Sequence, residues 1–333
     1  MSFLDIVINM CKLSLRDIIS TRLFLYIIFA LSILSSCNSS NDNSEYRYGD
    51  YRKFSKTPIA ELAQYVESGD TDKVTNYLRL YPKTIDYQEP YDSLSLLMIT
   101  IINQRKATFP YSIICDNENC GLSLNEDQCK SFHNLLNNGA SVNTVAKDGD
   151  TPLMLACGCD YYDVSFVREL IAHGADVNYI LPAKHANRIG NSTPLQNAIK
   201  CHRFDFVKIL VENGADVNYM DVFGNTPLGM SLQDNNYSMT LYLLKNGGDY
   251  TVPIVDKSIH TGNLQDTSRL TLAEELRYHV HPLDSKEYML KMQIVSFLRD
   301  KGIDYRKIAI PNAIKLDIKG KYPNTWKNII QLY

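Results

Sequence analysis

The sequence has no excess of positive charge and carries none of the short motifs that mark common catalytic sites. Its 34 Lys and Arg residues are outnumbered by 37 Asp and Glu residues, which gives a net charge of −3. Such a chain lacks the basic footprint that nucleic-acid-binding proteins present to phosphates. No Gly-rich phosphate loop, Gly-x-Ser-x-Gly elbow or His-Glu-x-x-His helix occurs. We therefore predict no enzymatic activity, no cofactor, no nucleic-acid partner and no small-molecule substrate.

Metal ligands at recognised zinc spacings are also absent. Cys157-Gly158-Cys159 and Cys201-His202 supply thiol and imidazole groups, but structural zinc sites usually pair two ligand motifs at characteristic spacings. His279-Val280-His281 falls in a predicted loop, and no acidic or thiol partner for it is evident in the sequence. We expect the imidazoles of His279 and His281 to be solvated, and we predict no metal site.

One phrase does recur through the middle of the chain. The phrase Gly-Ala-Asp-Val-Asn, with small variations, begins at Gly139, Gly174, Gly214 and Gly247. A second phrase, Thr-Pro-Leu, begins at Thr151, Thr193 and Thr226. The last two copies of each phrase lie 33 residues apart, whereas the earlier glycine steps are 35 and 40 residues. Repeat proteins absorb such differences in loops, so the spacing indicates stacked repeats.

Each repeat has a marked beginning and end because its residue types suit helix termini. In the last clear unit, the Thr226 hydroxyl can cap the first helix, and Pro227 suits its first turn, where no backbone donor is lost. The second helix covers residues 239–244 and stops near Gly247, which can adopt the left-handed conformation common after helices. One unit is therefore a helix, a turn and a second helix.

These phrases make the chain similar to ankyrin-repeat proteins, most strongly over residues 147–250. The resemblance implies an all-α solenoid of about five to six helix-turn-helix units with turn fingers. We place this domain at residues 57–310, with an insertion at about 103–127 and a C-terminal capping tail at 311–333. The outer units are degenerate, as expected where one face of a solenoid meets water.

The N-terminus has the layout of a secretory signal peptide. Residues 23–34 form an apolar block that follows three basic residues, and the block is short for a membrane span. It ends in Leu34-Ser35-Ser36-Cys37, which resembles the lipobox of bacterial lipoproteins and implies removal of residues 1–36 and lipidation of Cys37 with a fatty acyl group such as palmitate. Residues 37–56 then form a flexible tether. An uncleaved N-terminal anchor is the alternative.

Lipidation implies a mature chain of 31 basic and 35 acidic residues in the cell envelope. The residue after Cys37 is Asn38 rather than the Asp that often retains lipoproteins in the inner membrane. In a Gram-negative bacterium this implies the periplasmic side of the outer membrane. The periplasm supports disulfides. Cys115 and Cys120 lie in the polar insertion, where a local bridge and two free thiols are open alternatives.

The resemblance implies a protein partner, because ankyrin proteins hold other proteins with their turn tips and first-helix surfaces. Mapped onto the matching units, those positions are Lys147, Asp148, Asp150, Arg188, Ile189, Asn191, Lys200, Val222, Phe223, Asn225, Gln233 and Asp234. Phe223 is the strongest candidate for an anchor, since aromatic side chains dominate interface hot spots. The alternative is that Phe223 packs against the neighbouring turn. The connector at residues 179–191 is either part of the binding face or a neutral loop.

Two classes of function follow. In the first, a tethered periplasmic binding protein acts as an immunity or inhibitor protein against a toxin that targets the envelope. In the second, the chain is a structural or assembly factor of the envelope. A further alternative is an ankyrin-repeat membrane protein that keeps its N-terminal anchor.

Overall fold

The computed structural model of the chain describes residues 48–104, 125–158, 163–182, 192–262 and 268–332. Residues from Gly49 to Tyr333 form one compact unit. The predicted signal peptide and Cys37 lie outside the described residues, as do Cys115 and Cys120 of the insertion.

Helix pairs follow one another along the chain. The first five pairs are α1 (Ala60–Glu67) with α2 (Thr71–Leu80), α3 (Leu96–Ile102) with α4 (Glu126–Asn137), α5 (Pro152–Cys157) with α6 (Val164–Ala172), α7 (Pro194–Lys200) with α8 (Phe204–Glu212), and α9 (Pro227–Gln233) with α10 (Tyr237–Lys245). After these come β1 (Val255–Asp256), α11 (Ser258–Thr261), β2 (Arg269–Leu270), α12 (Leu272–Glu275), α13 (Lys286–Asp300), α14 (Asn312–Lys321) and α15 (Trp326–Leu332). Short 3-10 turns lie at Tyr51–Phe54, Pro82–Thr84, Leu276–Tyr278 and Tyr305–Lys307.

The Thr-Pro-Leu phrase begins the first helix of a pair, as predicted. In α5, α7 and α9 the capping threonine hydroxyl accepts a hydrogen bond from the backbone N–H of the third helical residue, at 3.2, 3.3 and 3.1 Å. Ser95 does the same for α3 at 3.3 Å. The repeated glycines follow the second helices with φ between +86° and +95°, a region that costs other residues about 1 kcal/mol. The predicted helix signals are thus confirmed.

Stacking of the pairs builds one continuous apolar core. Each first helix contacts the first helix of the next pair, from α1 through α3, α5 and α7 to α9. The second helices contribute large side chains between layers: Phe132 of α4 and Phe166 of α6 are both buried, and their ring centroids lie 4.0 Å apart. Burial of one such ring stabilises the fold by about 2–3 kcal/mol. The predicted all-α solenoid is confirmed, and β structure in the described residues consists of the short β1–β2 pair and one isolated bridge between Gln88 and Ser95.

The asparagine that ends each repeated phrase connects neighbouring repeats. Asn143, Asn178 and Asn218 each donate an amide hydrogen bond to the glycine carbonyl of the next repeat, at 2.9, 2.9 and 3.0 Å. Each amide oxygen also accepts from the backbone N–H two residues beyond that glycine, at 2.9, 2.7 and 2.8 Å. Because the same bridge is present at these three junctions, the turns that follow the three asparagines stand in one row.

The helices after the last clear repeat close that end of the solenoid. Helix α13 packs on α10, and Ile294 and Leu298 of α13 are fully buried. Helices α14 and α15 pack on each other around a small separate core of Ile318 and Ile329.

Candidate protein-binding surface

The turn ahead of α9 is built around one buried carboxylate. Asp221 Oδ1 accepts hydrogen bonds from the backbone N–H groups of Phe223, at 2.9 Å, and Asn225, at 2.8 Å. Its second oxygen accepts from the Asn225 side-chain amide at 2.9 Å. Asn225, predicted as a contact residue, therefore uses its side chain inside the turn. These bonds hold the tip, Val222-Phe223, in one conformation.

Groups from both sides support the same turn. Gln196 of the preceding repeat donates its amide to the Asn225 carbonyl at 3.0 Å. Arg269 Nη2, from the segment after the repeats, donates to the carbonyls of Gly224, at 2.6 Å, and Ile254, at 3.1 Å. Gly224 has a φ of +77°, and a Cβ at this position would lie 1.6 Å from Arg269 Nη1. The positive φ favours glycine at this position, and any other residue would also displace the guanidinium of Arg269.

The tip presents apolar side chains to solvent. Phe223 is 62% exposed and Val222 is 58% exposed. Most of the surface of Phe223 therefore faces solvent. A large apolar side chain exposed on a turn with fixed geometry favours a role in recognition.

Met220, just before this tip, and the residues at the same position in the two preceding repeats extend the apolar surface. Val145, Ile180 and Met220 each lie two residues after the asparagine that connects the repeats, and each is more than two-fifths exposed. Since those asparagines place the repeats in one row, the three side chains lie at matching places on successive turns. We call Val145, Ile180, Met220, Val222 and Phe223 the finger surface.

Charged candidates lie beside the finger surface at the turn ahead of α5. Lys147 is exposed, and its ammonium group donates to the Tyr91 carbonyl at 3.3 Å, which ties this turn to the preceding one. Asp148 is exposed and accepts from the backbone N–H of Asp150 at 3.3 Å. Asp150 is half-buried, and burial together with Asp148 raises its pKa to about 7.

The predicted first-helix residues lie near the ends of α7 and α9. Burial lowers the pKa of Lys200, against the attraction of Asp221. Gln233 is half-buried. Asp234 is exposed and lies 3.8 Å from His202 Nδ1. The remaining predicted contact residues, Arg188, Ile189 and Asn191, lie outside the described residues.

The prediction for His279 and His281 was wrong. His279 is buried, and its Nε2 lies 3.0 Å from Glu275 Oε1, while His260 Nε2 lies 2.6 Å from Glu275 Oε2. The Tyr237 hydroxyl oxygen lies 2.6 Å from both His279 Nδ1 and His281 Nε2. Glu275 of α12 lies only four residues before His279, at the i,i+4 spacing of a helix, whereas Tyr237 of α10 is 42 residues away and no local pattern indicates it.

These five side chains form one polar network. A carboxylate only accepts, so His279 and His260 donate to Glu275. The Tyr237 hydroxyl has one proton to donate, and its possible acceptors are His279 Nδ1, His281 Nε2 and Asn235 Oδ1, the last at 3.3 Å. Burial opposes ionisation of Glu275, but the hydrogen bonds from His260 and His279 outweigh it, and its pKa is lowered.

Lys291 of α13 is a second buried charged group that sequence analysis missed. It is fully buried, and its ammonium group donates to the His279 carbonyl at 2.7 Å. Burial, with a contribution from Arg277, lowers its pKa to about 7. The signal was present in the sequence, because Lys291 precedes the buried Ile294 and Leu298 at helical spacings of three and seven.

Metal sites and membrane-spanning helices are absent from the part of the chain that the structure describes. No group of three or more His, Cys, Asp or Glu side chains there is arranged to hold a metal ion. Cys157 of the zinc alternative is buried in α5, as expected for a small-residue position, and Cys159 is outside the described residues. Also within that part, every helix is too short or too polar to cross a membrane.

Comparison with known proteins agrees with this geometry. The family model described as "Ankyrin repeats (3 copies)" matches residues 121–221 and 176–254. These matches include the finger surface, α5 to α10 and all three connecting asparagines. No curated protein matches the chain. Ankyrin repeats are typically non-enzymatic modules that bind other proteins. The matched residues are therefore ankyrin repeats within an all-α solenoid, and these repeats point to a protein partner.

Proposed function

We propose that this chain is a membrane-tethered, protein-binding ankyrin-repeat lipoprotein that faces the periplasm and uses the finger surface to hold its partner. The observation that carries the proposal is the exposed pair Val222-Phe223 on a turn fixed by Asp221. A preorganised aromatic tip loses little conformational freedom on binding, so more of its burial contributes to affinity.

The composition of the finger surface supports a protein as the partner. Aromatic and aliphatic anchors at the centre with charges at the rim are typical of protein interfaces. Here Val145, Ile180 and Met220 extend the apolar part, and Lys147 and Asp148 lie beside it with opposite charges.

The tether and its compartment rest on the N-terminal sequence. The apolar block at 23–34 followed by Leu34-Ser35-Ser36-Cys37 favours export and acylation of Cys37. An anchored binding protein in the periplasm, without catalytic motifs, suits an immunity or inhibitor protein that blocks a toxin by covering part of its surface. We propose this as the more specific role.

Capture of the partner tests the binding role. The chain, bearing an affinity tag, is isolated from solubilised membranes, and the captured proteins are identified by mass spectrometry. We expect one partner to be retained by the wild type and lost by Phe223→Ala. The matched control is Leu80→Ala, because Leu80 is 72% exposed but lies in α2, away from the finger surface. Equal capture by wild type and Phe223→Ala would refute the role of the finger surface.

Separate experiments test the tether and the toxin. Metabolic labelling with a fatty acid should mark the wild type and leave Cys37→Ala unlabelled; labelling of both, or of neither, argues against acylation at this residue. Deletion of the gene should make cells sensitive to sibling cells that deliver the toxin. Full resistance of the deletion strain, with an assembly or secretion component as the captured protein, would support the structural alternative instead.

A further inference from the structure

We infer that the last two helices form a surface that docks on anionic phospholipid bilayers. The first observation is the distribution of charge. Residues 301–333 contain seven Lys and Arg residues and two Asp residues, a net charge of +5, so the preceding 300 residues carry −8. This segment is therefore strongly basic, although the chain as a whole is acidic.

The second observation is a surface cavity with basic walls. It has a volume of about 350 Å³ and is lined by Arg277, Arg306, Lys307, Lys315 and four apolar residues, Ile308, Ala309, Ile310 and Ile330. Its lining, as far as the structure describes it, contains no carboxylate. A cavity with cations around an isoleucine-rich wall fits a phosphate group that is attached to an apolar body.

The third observation connects the cavity to an exposed leucine and to a tryptophan that is half-buried against Ile318 and Ile329. Lys315 and Lys319 are one turn apart on α14, and Leu316, which is 69% exposed, lies beside them at the i,i+3 position from Lys319. Lys319 and Lys327 both place their ammonium groups over the Trp326 ring, 5.8 and 5.9 Å from its centroid. We call Arg306, Lys307, Lys315, Leu316, Lys319, Trp326 and Lys327 the basic cap.

This combination favours a lipid surface over an acidic protein. Protein interfaces are depleted in lysine at their centres, whereas four of the seven residues of the basic cap are lysines. Lysine and arginine next to leucine and tryptophan are typical of elements that lie at the bilayer surface, where the cations meet lipid phosphates and the apolar side chains enter the headgroup region. Each such cation contributes about 1 kcal/mol near an anionic membrane.

The inference is independent of the tether, since it concerns charges at the other end of the chain. The full chain is mixed with vesicles of phosphatidylcholine alone, or with about one third phosphatidylglycerol, and the bound fraction is measured by flotation at low salt. We expect tighter binding to the anionic vesicles. Neutralisation by Lys307→Gln or Lys315→Gln should weaken that binding about fivefold each, and Leu316→Ser should weaken it without changing its salt dependence.

The matched control is Lys83→Gln, an exposed lysine of the first repeat, which should bind like the wild type. The N-terminal apolar block and its basic residues are present in every variant, so differences between variants report the basic cap alone. Equal binding of wild type and both lysine variants would overturn the inference. Complete competition by millimolar inorganic phosphate would overturn it as well, in favour of a free phosphate ligand. Binding to anionic and neutral vesicles with equal affinity would also overturn the inference.

Discussion

Asn178 and Asp216 belong to successive repeats, and a hydrogen bond of 2.7 Å joins the Asn178 amide oxygen to the Asp216 backbone N–H. The same amide donates to the Gly214 carbonyl at 2.9 Å. The repeated phrase therefore does more than end a helix. It fixes the register between repeats, and through this register it aligns the turns that carry the finger surface.

Replacement of Asn178 should weaken the contact between repeats. Asn178→Ala removes two exposed hydrogen bonds, and we expect a loss of about 1–2 kcal/mol in the free energy of unfolding. Asn246→Ala is the matched control, because its amide bonds the Tyr242 carbonyl of its own helix at 2.8 Å. Urea unfolding checks both variants. An equal effect of the two substitutions would mean that the bridge between repeats has no special role.

Substitutions of Asp221 and Phe223 should differ in their effects: the first should lower both stability and affinity, and the second should lower affinity alone. Asp221→Ala removes three hydrogen bonds from a buried acceptor and should cost about 2–3 kcal/mol of stability as well as affinity. Phe223→Ala removes an exposed ring, so stability should change by less than about 0.5 kcal/mol, while the affinity for the captured partner falls at least about tenfold. Thermal unfolding and titration of the partner measure the two quantities. A large loss of stability in Phe223→Ala would contradict its exposed position.

The buried Lys291 should make the free energy of unfolding depend on pH in the alkaline range. Its pKa is about 7 in the folded chain and 10.5 as the ordinary value, so between these values only the unfolded chain keeps the proton. Stability therefore rises as the pH increases from about 7 towards 10. Lys291→Met should remove a few kcal/mol of this rise, whereas Lys286→Met, at an exposed lysine of the same helix, should leave it intact. Denaturant unfolding at several pH values between about 7 and 10 measures the free energy of unfolding of each variant. A rise in Lys291→Met as large as that of the wild type would contradict this prediction.

The Tyr237 network should make stability depend on acidic pH. Burial, followed by the charges of His279 and Lys291 and opposed by Glu287, lowers the pKa of His281 below its ordinary value of 6.5. The unfolded chain then takes up a proton more readily, and stability falls as the pH drops below about 6.5. His281→Gln should reduce this fall. Tyr237→Phe removes the hydroxyl between the two imidazoles and should cost about 1–3 kcal/mol at neutral pH. A wild type equally stable at pH 5 and 7 would contradict this account.

Much of the fold could be predicted because its signals are local. Thr151, Thr193 and Thr226 cap helices through backbone groups three residues away, and the repeated glycines take the left-handed conformation immediately after a helix. The exposed tip at Phe223 was predictable for the same reason, since a turn between two repeats has few partners of its own.

The Glu275–His279 contact and the burial of Lys291 had local signals that were overlooked, but the other contacts that were missed join residues far apart in sequence. Arg269 supports Gly224 from 45 residues away, and Tyr237 meets His279 across 42 residues. These segments lie at or beyond the end of the clear repeats, where no periodic phrase fixes which side chains face each other. Local reasoning therefore predicted solvated histidines where the structure has a buried polar network.

The sequence by itself determined the repeat unit, its helix termini and the all-α solenoid, because each of these depends on short-range capping, glycine conformation and apolar periodicity. Only the tertiary structure decided the alignment of the finger surface, the support of its tip by Asp221 and Arg269, and the joining of Arg277 to Arg306, Lys307 and Lys315 around one cavity. Those arrangements arise when stacked helices bring distant side chains within hydrogen-bonding and electrostatic range, and the linear order of residues does not contain those distances.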